Sequence, residues 1–112
     1  MLSLTSEHSY FLYQGSCDMR KSFDGLCGLV SREQGREPTS GEVFVFLNRS
    51  RTHLKLLHWE RGGFVLYYKR LEQGTFAVPA ASASLSWAEL VLMIEGLQAE
   101  KITRKKRYKL SA

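Results

Sequence analysis

Asp18 and Asp24 are the first pair in this chain with chemistry suited to a divalent cation. They stand six positions apart, an awkward separation on a helix, where same-face neighbours are three or four apart. A third carboxylate, Glu42 or Glu60, would have to join them from elsewhere. The ordinary reading makes Asp18 a helix cap and leaves Asp24 on a solvent face or in an ion pair. His53 and His58 differ by an odd number, so a regular strand points them to opposite faces. Cys17 and Cys27 lack the short paired spacing of a zinc site. Gly62-Gly63 lacks the longer glycine pattern and the lysine–serine or lysine–threonine pair of a phosphate loop. No catalytic residue, metal ligand or cofactor is assigned on these grounds.

The cations are better organised. Arg49 and Arg51 flank a predicted turn and suit a two-pronged phosphate clamp. Lys55, Lys69 and Arg70 are distributed through the same block and are expected to extend one basic contact surface. Arg20 and Lys21 stand near a helix start, where the dipole does not favour cations, so they either meet a ligand or pair with acids. A last group, Lys101, Arg104, Lys105, Lys106, Arg107 and Lys109, forms a basic tail without an acid. The formal net charge is +5, so these six cations leave residues 1–100 at −1. Attraction of such a tail to phosphate is strongly salt-dependent, and Tyr108 could stack on a base or anchor the tail. Lys105, Lys106 and Arg107 are its expected contacts, less specific than the sheet arginines.

The elements that must position these groups centre on Glu42–Arg70. Three strands are predicted, Glu42–Leu47, His53–Trp59 and Phe64–Arg70, rich in valine, leucine and aromatic residues. Short links make them an antiparallel meander, with glycines in the second turn. One face is expected against helices and the other partly wet. Tyr10–Tyr13 and Thr75–Val78 read as further short strands. A first helix is expected from Met19 to about Gln34 with Asp18 as N-cap and Gly35 as its stop. A second starts at a capping box, Ser86 with Glu89, and Leu85 and Leu90 form a hydrophobic staple. Its apolar face runs through Trp87, Leu90, Val91, Ile94 and Leu97.

These elements fit one α+β domain over residues 1–100: a four- or five-stranded antiparallel sheet, two helices, and a basic, flexible tail over residues 101–112. The 112 residues suffice for a single core, and 44% apolar content argues against disorder. The lack of a secretory pattern and of a long apolar run favours a cytoplasmic protein with reduced cysteines and no membrane contact.

Two blocks carry a family resemblance. The run Asp18-Met19-Arg20-Lys21-Ser22-Phe23-Asp24-Gly25-Leu26 resembles the first signature of the small accessory TnpB proteins of the insertion sequence sixty-six family, which are distinct from the RNA-guided nucleases of the same name. The second signature is similar to Gly41–Arg51, Lys55–Trp59, Gly63-Phe64 and Tyr68–Phe76, closed by Pro79. The signature positions also include Arg49, Arg51, Lys55, Trp59, Tyr68, Lys69, Arg70, Leu71 and Glu72. Ser22 stands where related chains commonly carry glycine, and Val78 where they often carry tryptophan. The resemblance implies a bacterial accessory factor for DNA transposition and recombination, with the transposase a separate polypeptide. Expected partners are transposase, element DNA and a second small accessory protein. A protein-interaction module without direct DNA contact is the alternative, and a metal-dependent nucleic-acid enzyme the lesser one.

Overall fold

In the computed structural model, which describes residues 4–79 and 83–95, five strands form one mixed sheet between two helices. The elements are β1 (Tyr10–Leu12), α1 (Phe23–Arg32), β2 (Val43–Leu47), β3 (His53–Glu60), β4 (Gly63–Arg70), β5 (Ser84–Leu85) and α2 (Trp87–Glu95). Strand order across the sheet is β4-β3-β2-β1-β5.

β2, Val-Phe-Val-Phe-Leu, is buried along its whole length. That continuous apolar run is what a central strand covered on both faces requires. Val43, Val45 and Leu47 join Tyr10, Leu12, Leu54 and Leu56 on the face that receives Leu90 and Met93 of α2. Phe44 and Phe46 join Leu57 on the opposite face, against Leu26, Leu29 and Val30 of α1. The expected half-wet sheet is therefore corrected to a sheet with a helix on each side. Both helices are amphipathic, and each needs an apolar surface of its own.

The antiparallel expectation holds for the meander β2-β3-β4 and for β1 with β5. It fails for β1 and β2, which pair in parallel, Tyr10 beside Val43 and Leu12 beside Val45. The connection between them contains α1, and a long helical crossover returns the chain in the same direction. The β3–β4 hairpin closes on Glu60 and Gly63, so Arg61 and Gly62 are its two turn residues. Both have positive φ, 51° and 84°, the geometry that matches the twist of the flanking strands.

Thr75–Val78 is not a strand. The chain leaves β4 and crosses the α2 side of the sheet, burying Phe76 in that core. The added strand is instead the two-residue β5, within the stretch whose sequence reads as a small-residue connector. α1 begins at Phe23, four residues later than expected, and Ser22 is its N-cap without a side-chain capping bond. It ends at Arg32, two residues before the expected Gln34, and Gly35 is the stop as expected: Arg36 N–H reaches back to Val30 O at 3.1 Å across Gly35, whose φ is +62°. In α2, Ser86 N–H donates to Glu89 Oε1 at 2.8 Å and Glu89 N–H donates to Ser86 Oγ at 3.1 Å. That is the reciprocal capping box, and Leu85 and Leu90 are both buried in the adjoining core. The basic segment with Lys105, Lys106, Arg107 and Tyr108, and the Leu97 expected on the apolar face of α2, lie outside the described residues.

Candidate nucleic-acid interface

The β2–β3 loop is built by one amide side chain. Asn48 Oδ1 accepts from Thr52 N–H at 2.9 Å and from His53 N–H at 3.0 Å. Asn48 Nδ2 lies 3.2 Å from Ser50 Oγ and 3.1 Å from Thr52 Oγ1. Arg51 N–H donates to Asn48 O at 3.1 Å, and Phe76 N–H donates to Arg51 O at 2.7 Å. Arg51 is held in the left-handed region with φ 59°, a conformation costly for an arginine unless its surroundings fix it. The loop is thus tied down on the inside while Arg49 and Arg51 stay exposed.

Both arginines line an open cleft of about 480 Å³. Gln14, Gly15, Ser16 and Asn48 also line it, together with apolar groups that include Leu12, Val78 and Pro79. Among the described residues, neither guanidinium is in an ion pair. Two unpaired guanidiniums beside amide and hydroxyl groups can bind a phosphate and its neighbour along a backbone. Gln14 and Ser16 carried no sequence signal of their own. The polar run Asn48-Arg49-Ser50-Arg51-Thr52 did, because short hydrogen-bonding side chains alternate in it with the arginines.

The other expected contact cations have different surroundings. Lys55 is only 5% exposed. Its ammonium donates to Met19 O at 2.8 Å and Lys21 O at 2.7 Å, and lies 4.5 Å from the Tyr68 ring centroid. Its place on the contact surface is corrected: it ties the segment before α1 to the sheet. Lys69 points to the other face and donates to Ile94 O of α2 at 2.6 Å. The two lysines therefore share no surface with each other.

Arg70 pairs with Glu72 at 2.7 Å, and Arg20 with Asp18 at 2.6 Å. Asp18 Oδ1 also accepts the Arg20 N–H at 2.9 Å. These hydrogen bonds from the Arg20 side chain and backbone hold the Asp18 carboxyl at about 2, well below the usual range. Asp18 thus organises the turn ahead of α1 and does not cap the helix. Asp24 lies in the first turn of α1. Among the described residues, no group of three histidine, cysteine or acidic side chains is placed to hold a metal ion. Burial pushes the Cys17 thiol up.

The remaining signature residues build the frame. Leu26 is fully buried, and Met19 packs on the same core. A Cβ on Gly25 would stand 3.1 Å from Lys21 Cβ, so that position keeps the helix close to the preceding turn. Trp59 and Phe64 meet edge-to-face at 4.9 Å, and Leu71 packs on the α2-side core. Of the five cations expected on the sheet-side contact surface, Arg49 and Arg51 thus remain the two both exposed and outside any ion pair among the described residues.

The family model described as IS66 Orf2 like protein matches residues 8–104. The uncharacterized protein y4jC of Sinorhizobium fredii is 31% identical over 91 residues, 79% of this chain and 78% of that protein. The uncharacterized protein y4hO of the same organism is 34% identical over 86 residues, 74% of this chain and 75% of that protein. No solved structure matches the chain. With its family match spanning both signature blocks and all seven structural elements, the chain belongs to the IS66 Orf2-like family.

Proposed function

We propose that this chain is a noncatalytic accessory factor of transposition that bridges element DNA and transposase, with the Arg49–Arg51 loop as its DNA-backbone contact. The family suggests an accessory role in transposition and is not a known catalytic family. The observation that carries the DNA contact is the Asn48-braced loop, which holds Arg51 in a strained backbone conformation and, among the described residues, leaves both guanidiniums outside ion pairs. A cytoplasmic, bacterial setting accords with that role. Among the described residues, no helix is long and apolar enough to cross a membrane.

Phosphate contact through two arginines predicts a specific salt response. Each phosphate neutralised contributes about −0.9 to the slope of log affinity against log salt concentration. Arg49→Ala with Arg51→Ala should therefore make the slope shallower by about 2 for duplex DNA. Arg51→Gly separates charge from strain: it removes the guanidinium and suits the positive φ, so affinity falls while the fold is kept or strengthened. A slope unchanged in the folded double variant would reject the loop as the DNA contact.

A further inference from the structure

Among the described residues, β4 is the outermost strand of the sheet, and its outer edge is eight residues long. Apart from its ladder with β3, no described backbone group bonds to Gly63–Arg70. In a two-residue hairpin the closing pair, here Glu60 and Gly63, exchanges both hydrogen bonds. The alternation then turns the backbone groups of Gly63, Val65, Tyr67 and Lys69 toward β3. Those of Phe64, Leu66, Tyr68 and Arg70 face outward. Edge strands are normally blunted by a proline, a bulge or an outward charge. This one has neither a proline nor a break in its register. Its two cations are occupied elsewhere, Lys69 on Ile94 O and Arg70 on Glu72. Meanwhile Val65 is 43% and Tyr68 52% exposed.

We propose that this edge pairs antiparallel with the β4 edge of a second copy of the chain, about a two-fold axis at Leu66. That register sets Leu66 opposite its own symmetry mate, joined by the outward backbone groups of both. Phe64 then faces Tyr68, and Val65 faces Tyr67, aromatic and β-branched pairings that stabilise neighbouring strands. Lys69 falls opposite Gly63 and Arg70 opposite Gly62, so no cation meets a cation. The two exposed apolar side chains of the strand both gain partners. The chain's own basic segment over residues 101–112 fits the edge less well, because its six cations would lie along a strand already carrying Lys69 and Arg70. The product is one continuous sheet of ten strands, an isologous dimer of the commonest symmetry.

The test is the mass of the full chain in solution over a concentration series. Tyr68→Pro deletes an outward N–H at a position where an edge strand tolerates proline. Val65→Lys keeps every backbone donor and sets an ammonium opposite Tyr67. Circular dichroism establishes that each variant folds. The wild type should reach twice its 12.8 kDa chain mass, and each folded variant should dimerise at least about tenfold more weakly. Should Tyr68→Pro not fold, Val65→Lys and amide exchange decide. Exchange at Phe64, Leu66 and Tyr68 should slow as concentration rises. A wild type that stays monomeric, a dimer unaffected by a folded variant, or protection of those amides independent of concentration would overturn the proposal. The last result would assign the edge to another segment of the same chain.

Discussion

Lys55 sits in the sheet because two backbone carbonyls need it there. Met19 and Lys21 precede α1, outside any helix, and their oxygens are taken by one ammonium. A hydrogen bond to a charged group contributes roughly 1.5–3 kcal/mol, and leaving a buried acceptor empty costs about 1–3 kcal/mol. Lys55→Met keeps the side-chain length and removes the donor. It should lower the unfolding free energy by about 3 kcal/mol in denaturant melts while leaving DNA affinity per folded molecule unchanged. A loss of affinity in folded, stable Lys55→Met protein would return Lys55 to the contact surface. The sequence showed that a lysine occupied this strand position, but its direction depends on which residues alternate outward and on a partner segment over thirty residues earlier. For Arg49 and Arg51 the reverse holds. Their exposure follows from the polar loop around them, so the sequence was enough to place them in a turn.

At the scale of elements, legibility followed the range of the interactions. The α2 start lies within four residues of sequence, and its reciprocal bonds form as the Ser86 and Glu89 spacing implies. Ser86→Ala removes one of them and should cost about 1 kcal/mol, measured as a shift in thermal unfolding. No shift would mean that packing of Leu85 and Leu90 alone fixes the helix start. The meander was readable for the same reason, because short links leave adjacent strands few alternatives. The direction of β1 was not readable from its own three residues; it is set by the α1 crossover. β5 is two residues long and pairs with a strand more than seventy positions away, so local composition could not reveal it. Thr75–Val78 has strand-like residues, yet the chain must pass over the sheet to reach β5, and Phe76 is buried in that passage.

The whole molecule separates support from display. Two cores, one on each side of a five-stranded sheet, hold the helices. Among the signature-block cations, Lys55 and Lys69 are internal ties, Arg20 and Arg70 are in local ion pairs, and Arg49 and Arg51 stand in the exposed loop. A bridging factor needs two surfaces that can fail independently, one for DNA and one for protein. The most direct measurement is therefore capture of element-end DNA on immobilised transposase, with and without this chain, after confirming that each protein is folded. The intact chain should increase the DNA retained. The Arg49→Ala, Arg51→Ala variant should still bind transposase but retain no more DNA than transposase alone. Equal DNA retention by the variant and the intact chain would contradict the bridge through this loop, as would failure of the intact chain to bind transposase at all.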